Sequence, residues 1–410
     1  MTSEFDTLRL PRAAPARVLA VGAWLKNAAC VVHGSQVIGS PVHGDLGDPA
    51  NCAAFDRSIE ALSALGPVDA VAHDLHPDFH STRAALALAA RLGVPAVGVQ
   101  HHHAHVAVAQ AEAGTDEPLV GLALDGVGLG TDGQAWGGEL LWVHGPVWRR
   151  LGHLAPLRLP GGDVAAREPW RVAAGVLHGL DRGDEIATRW GDAVGQTKAE
   201  GLRRMLERGL NCPATSSAGR WFDAAAAALG VSVCQQAEAE AAIALERLAA
   251  GWLATHARDG EFDLALTPVR ADGVVDLHPL LGHLFTLADI ARERGSTTAL
   301  ARGAALFHVS LADALARWAL AAAQTHRCAR VVLAGGCFHN ALLDGLVARR
   351  LQAAGLRVLR PRRLGCGDAG LALGQAWAAA LQLAGGEAPA ALLPLSTATR
   401  PALELVPTCA

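Results

Sequence analysis

From Arg17 to Gly114, short apolar runs alternate with stretches whose apolar residues recur every three or four positions, and after Pro118 the alternation starts afresh. The short runs suit strands and the longer period suits helices, so their alternation restricts the chain to a layered α/β architecture. Val18–Val21 and Ala29–His33 read as a strand pair, and Ala54–Leu65 reads as a helix through Phe55, Ile59, Leu62 and Leu65. Ala70–Asp74 is a strand, Thr82–Gly93 a helix stopped by Gly93 with Pro95 beyond it, and Ala96–Gln100 the next strand. The second unit opens LVGLALDGVGLGTDGQAWGGELLWV: a strand, a Gly/Asp turn and a second strand in hairpin order. That is the layout of AVGAWLKNAACVVHG at the head of the first unit. Two related lobes are the simplest reading, and 410 residues exceed what one hydrophobic core usually serves.

Further on, Gln235–Ala257 and Gly303–Gln324 have the spacing of long helices, and Arg330–Gly355 reads as a buried strand, a glycine turn and a helix. The predicted division is an N-terminal extension over 1–16, lobe I over 17–117 completed by a C-terminal helix over 369–385, lobe II over 118–368 with helical insertions, and a poorly ordered tail over 387–410.

Apolar residues make up 51% of the chain and charged residues 18%, a composition that supports a packed core and argues against extended disorder. The net charge of −4, with no basic run longer than Arg-Arg pairs, argues against nucleic acid as a partner. The N-terminal segment lacks a signal-peptide core, and no stretch approaches ~18 uninterrupted apolar residues, so a cytoplasmic protein with no membrane partner is expected. The eight cysteines are scattered without a C-x-x-C pair, which disfavours a cysteine zinc site. G-x-S-x-G and G-x-x-x-x-G-K-[ST] are both absent, which disfavours serine hydrolases and P-loop enzymes.

The densest chemistry is VQHHHAHVA, with four histidines in five positions at the join of a strand and a helix. Residues four apart share a helix face, so His101 and His105 can hold one divalent ion, while His102 and His103 point elsewhere. Asp125 ends an apolar run and opens DGVGLGTDG, and Asp368 lies in GCGDAGLALGQ at a helix start. Each aspartate could reach a cation, or serve as a turn residue and an N-cap respectively. LAGGCFHN joins a strand to a helix through two glycines, a shape that lets a nucleotide lie against the backbone. Ser217 and Arg220, in TSSAGRWFD, could edge a bound nucleotide, or Ser217 could simply cap a helix. Lys26 could meet a phosphoryl group or be an exposed turn lysine; His43 and Asp45 could line a cleft or make a turn. Asp163, Arg167 and Arg171, in LPGGDVAAREPWR, fit either substrate binding or an internal ion-pair set.

Together VGAWLKNAACVV, VAHDLHPDFHSTRAA, GVQHHHAHVA, LALDGVGLGTDGQAWGGELL, LPGGDVAAREPWR, TSSAGRWFDAAAAALG, GGCFHNALL and GCGDAGLALGQ resemble the C-terminal, threonylcarbamoyl-transferase-like domain of the hydrogenase maturation carbamoyltransferase family HypF. The resemblance runs in order from about Arg17 to about Ala384. It implies an actin-like (ASKHA, ribonuclease-H-like) two-lobed fold with its active site in the cleft. It implies His101, His105, Asp125 and Asp368 as ligands of iron or zinc, Lys26 and Asp125 as catalytic groups, and Gly133, Ser217, Arg220, Gly335, Gly336 and Asn340 at a site for ATP, AMP or carbamoyl adenylate, with magnesium accompanying ATP. The implied reaction moves a carbamoyl group, originating in carbamoyl phosphate, to the C-terminal cysteine of a HypE-type acceptor. The acylphosphatase, zinc-finger and YrdC-like regions of full-length HypF have no counterpart here, so the adenylate is expected either from a separate YrdC-like partner or from an unaided reaction of carbamoyl phosphate with ATP on this chain. The competing expectations are an O-carbamoyltransferase acting on a small-molecule hydroxyl, and a non-enzymatic nucleotide-binding scaffold. Cys409, next to the C-terminus, invites comparison with an acceptor tail.

Overall fold

A computed structural model describes residues 5–256 and 262–385. The tail over 387–410, with Cys409, lies outside the described residues.

The first half forms a sheet of β1 (Asp6–Arg9), β2 (Val18–Ala20), β3 (Cys30–His33), β4 (Gln36–Gly39), β5 (Ala70–Asp74) and β6 (Ala96–Val99), in the order β1-β4-β3-β2-β5-β6. β2, β3 and β4 are antiparallel neighbours, and β5 and β6 continue parallel to β2. β1 comes from the segment read as an extension: DTLR pairs antiparallel with β4 at the sheet edge. Its exposure explains why no apolar run announced it. Helices α1 (Pro49–Ser63), α2 (His80–Leu92) and α3 (His101–Ala113) follow the strands. α1 starts at Asp48, whose side chain accepts from Ala50 N, and α2 ends at Gly93 with φ 68°, the left-handed conformation glycine favours.

The second sheet contains β7 (Leu119–Leu129), β8 (Ala135–His144), β9 (Val147–Leu154), β13 (Arg330–Ala334) and β14 (Arg357–Leu359), with the short strands β10 (Leu157–Arg158), β11 (Ala214–Thr215) and β12 (Val274–Val275) at its margin. β7, β8 and β9 are antiparallel neighbours, while β13 and β14 continue parallel to β7. Both halves therefore share one core plan, a meander of three strands followed by two parallel crossovers on the side of the first strand. This repeated plan is the actin-like arrangement.

Between β10 and β13 the chain adds α4 (Val164–Arg167), α5 (Pro169–Gly179), α6 (Glu185–Val194), α7 (Gln196–Arg208), α8 (Ala218–Ala228), α9 (Glu240–Thr255), α10 (His278–Arg294) and α11 (Thr297–Thr325). α11 is long and apolar enough to cross a membrane, but 72% of its most apolar window is buried inside the protein, as in a core helix. α12 (Ala341–Ala353) and α13 (Leu371–Ala384) follow, and α13 returns to pack on α3, β2 and β5 of the first half.

α3 is the centre of this arrangement. Ala104, Ala107, Val108 and Ala111 join the core shared with α13, while Val106 and Ala109 pack with Leu119, Ala123 and Val332 of the second sheet. Every residue from His101 to Ala111 is buried, so this stretch of the helix presents no solvated face. Small residues make this possible: a Cβ on Gly374 of α13 would collide with the Ala104 carbonyl, and one on Gly121 of β7 would collide with Val106.

Candidate metal centre

α3 begins directly after β6, where the Gln100 side chain accepts from His103 N at 2.9 Å and fixes the first turn. One turn apart, His101 and His105 project to the same side, as their spacing predicts. Asp125 meets them from β7. Pairing of β7 with β8 shifts register between Leu124 and Gly128, a bulge that re-aims the intervening residues. Ser217 Oγ donates to the carbonyls of Gly126 (2.5 Å) and Asp125 (3.2 Å) and braces this bulge. Asp368 arrives from the 3-10 turn Asp368–Gly370 that leads into α13.

His105 Nε2 lies 2.7 Å from Asp125 Oδ2 and 3.4 Å from Asp368 Oδ1, and His101 Nε2 lies 3.5 and 3.7 Å from the same two oxygens. The ligand atoms of all four residues fall within 4.8 Å of one another. His101 Nε2, His105 Nε2 and Asp125 Oδ2 are buried yet have no hydrogen-bond partner; even the 2.7 Å approach lacks hydrogen-bond geometry. Two imidazole nitrogens and two carboxylate oxygens converging in this way suit a divalent ion of the zinc and iron class.

Electrostatics bind the cluster together. Burial alone would push His101 and His105 down, but the carboxylates of Asp125, with Asp74 beside His101 and Asp368 beside both, raise them above the ordinary histidine value. Burial likewise opposes ionisation of Asp125, and the two histidines overcome it, holding its carboxyl well below the usual carboxylate range. Asp74, at the end of β5, is fully buried and accepts from His101 Nδ1 at 2.8 Å and from His76 N at 2.9 Å. In the neutral ring, a proton fixed on Nδ1 leaves the Nε2 lone pair facing the cluster. The sequence reading passed over Asp74. Its one signal is a carboxylate closing the buried strand AVAHD, beside His73.

Residues 13–112 match the family model "HypF Kae1-like domain", and residues 121–375 match "Carbamoyltransferase, Kae1-like Domain, second subdomain". The chain belongs to the HypF carbamoyltransferase family. It is 61% identical over 384 residues to a carbamoyltransferase HypF homologue of Cupriavidus necator, covering 91% of this chain and 94% of that one. It is 46% identical to carbamoyltransferase HypF2 of the same organism, covering 91% of this chain but 47% of the relative. A crystal structure of full-length HypF in its phosphate- and nucleotide-bound form superposes with a TM-score of 0.81 at 30% identity, over 93% of this chain and 58% of that one. HypF of T. kodakarensis gives the same TM-score and identity, over 92% of this chain and 49% of that one. The chain thus spans nearly all of one HypF homologue and about half of the longer HypF proteins.

In this HypF-family chain the other predicted residues fall into two groups. Gly335 and Gly336 line the cluster: a Cβ on Gly336 would sit 3.0 Å from Asp125 Oδ1, and Gly335, at φ 94°, packs against the Leu124 backbone. Gly133 lies at the β7–β8 turn with φ 75°. The remaining side chains are engaged with protein partners. Ser217 takes the capping role, accepting from Arg220 N at 3.1 Å. Arg220 Nε lies 2.7 Å from buried Asp223. Asn340 Oδ1 accepts from Leu343 N and its Nδ2 donates to His308, so its side chain serves α12 and α11. Lys26, at φ 45°, places its ammonium 2.9 Å from Glu238 of the other half.

His102 contacts Gln100, and His103 stacks on Trp148; burial holds both below the ordinary histidine value. His43 is clasped between Asn27 and Ser58, and Asp45 makes a turn with Gly47 N. Arg171 joins Glu168 and Lys198 in an ion-pair set, whereas Asp163 precedes α4 and the Arg167 carbonyl accepts from Gln235 N. A second carboxylate missed in the sequence is Glu139, fully buried, which accepts from Arg150 Nε, Ser216 Oγ and Gly137 N and fastens β8 to the segment carrying Ser217.

Proposed function

We propose that the chain transfers the carbamoyl group of carbamoyl adenylate to the C-terminal cysteine thiol of a HypE-type acceptor, a step toward the cyanide ligands of [NiFe]-hydrogenase. The observation carrying this reading is the convergence of His101, His105, Asp125 and Asp368 within 4.8 Å inside a HypF-family fold. These four would hold iron or zinc. A divalent ion bound there supplies electrostatic stabilisation to charge developing on carbonyl and phosphate oxygens.

The chain's own residues do the positioning. Asp74 orients His101, and Ser217 holds the Asp125 bulge from behind. Gly335 and Gly336 keep the approach to Asp125 free of side chains, room that suits an adenylate. A full-length HypF structure that superposes on this chain holds phosphate and nucleotide, which supports nucleotide binding as part of this reading. Lys26, on the half opposite Glu238, would meet the phosphate or carbamoyl end after exchanging its carboxylate partner for substrate. In the transfer, the acceptor sulfur bonds to the carbamoyl carbon, the bond from that carbon to the phosphate oxygen of AMP breaks, AMP leaves, and the thiol proton passes to water.

The test is to incubate the purified chain with carbamoyl phosphate, Mg-ATP and a HypE-type acceptor, with and without a YrdC-like protein, and to weigh the intact acceptor. A gain of one carbamoyl mass without the added protein means that this chain also makes the adenylate. A gain only with it, or with supplied carbamoyl adenylate, means that the chain performs the transfer alone. No gain in any arm would refute the proposal.

A further inference from the structure

The cluster draws its ligands from three segments that are held in different ways. α3 and β7 are locked by core packing, Val106 against Gly121. Asp368 instead follows the crossover from β14 in the second half to α13 on the first, and residues Arg362, Arg363 and Leu364 of that crossover are exposed. Arg363 Nη1 donates to the Arg9 carbonyl and Gly335 N to the Cys366 carbonyl, and the largest share of the remaining contacts of this stretch goes to one carboxylate. Glu112 Oε2 accepts from Arg362 N at 2.6 Å, and Glu112 Oε1 accepts from Arg363 N at 3.1 Å and Leu364 N at 3.3 Å. Three successive backbone N–H groups on one anion form a concave, charge-assisted anchor.

Glu112 belongs to α3, the helix that carries His101 and His105. At about 100° per residue, positions 101, 105 and 112 fall on one stripe, with Glu112 roughly 10 Å along the axis from His105. The same helix therefore presents two ligands directly and ties down the loop that delivers a third, four residues after Leu364.

We infer that Glu112 is a positioning residue for the metal centre, setting Asp368 against the two histidines by clasping the interlobe crossover. This rests on the reading of the cluster as a metal site. Without the clasp, Asp368 must be brought into place at each binding event, so affinity falls while the histidine pair and Asp125 stay in place.

The experiment titrates the metal-free full chain with Co(II) alone, reading affinity and the visible d–d spectrum, for the parent chain, Glu112→Ala, Glu112→Gln, Asp368→Asn and the double variant Glu112→Ala/Asp368→Asn. We expect Glu112→Ala to weaken Co(II) binding about tenfold or more, the scale of lost outer-shell support, and to shift the spectrum toward that of Asp368→Asn. Glu112→Gln, which keeps one acceptor oxygen, should fall between. In the Asp368→Asn background, Glu112→Ala should have no further effect, an outcome that a general loss of stability would not give. Parent-like affinity and spectrum in Glu112→Ala, or full additivity in the double variant, would overturn the inference and leave the metal reading standing. Failure of the parent chain itself to bind Co(II) would overturn both.

Discussion

His101 and His105 differ from His102 and His103 in what their ring nitrogens face: the first pair meets the carboxylates of Asp125 and Asp368, the second meets Gln100 and Trp148. His101→Ala or His105→Ala should therefore abolish retained metal, measured by elemental analysis of the purified chain, while His102→Ala keeps most of it. Equal loss from all three would contradict the division of the histidines by helix face. Asp74→Asn presents an amide that can also donate to His101 Nδ1 and release the tautomer lock; metal affinity should drop by about tenfold, and an unchanged affinity would show that Asp74 does not orient the ring. Other histidines add acid sensitivity of their own. Burial pushes His103 and His308 down to about 4. Below 6.5 the unfolded chain binds protons that the folded chain refuses, so stability falls as pH drops from 6.5 toward 4, by on the order of 3 kcal/mol per group at the lower end. His308→Gln should narrow the difference between melting temperatures at pH 7 and pH 5, and an equal difference would count against that assignment. At this scale the sequence made the clustered histidines and aspartates visible through spacing and glycine context. It hid Asp74, Glu139 and Glu112, because each acts through a partner distant in the chain, and no local spacing marks such a pairing.

Among elements, α3 carries both the core and the chemistry. Its eleven buried residues, His101 to Ala111, lie between two sheets and α13, so the histidines cannot swing away from the aspartates without disturbing packing. Gly374→Ala tests that coupling. The added methyl would strike the Ala104 carbonyl, force α13 away from α3, and cost roughly 1–3 kcal/mol, with the four-ligand cluster loosened in the same step. A lower melting temperature together with weaker metal binding is expected; a lower melting temperature with unchanged metal binding would mean that the two helices adjust without moving the ligands. The hairpin of β7 and β8 and the helix stop at Gly93 were legible, because turn glycines and apolar runs are local signals. The edge strand β1 was not, since its pairing with β4 is supplied by backbone and leaves little mark on an exposed tetrapeptide. The helical insertions were seen as helices, but their mutual packing depends on contacts that periodicity does not encode.

Across the whole molecule, the two halves repeat one strand order and leave their shared chemistry at the seam, with His101 and His105 from the first half and Asp125 from the second. Asp368 stands where the chain crosses back, and Lys26 reaches Glu238 across the same divide. If these four side chains form one metal centre that serves carbamoyl transfer, the reaction requires the metal. The most direct measurement supplies carbamoyl adenylate and a HypE-type acceptor to metal-stripped chain, then restores iron or zinc and follows the acceptor by intact mass. Transfer is expected only after metal is restored, and none with the Asp125→Asn variant under either condition. Equal transfer by the stripped chain, or by Asp125→Asn, would contradict that requirement.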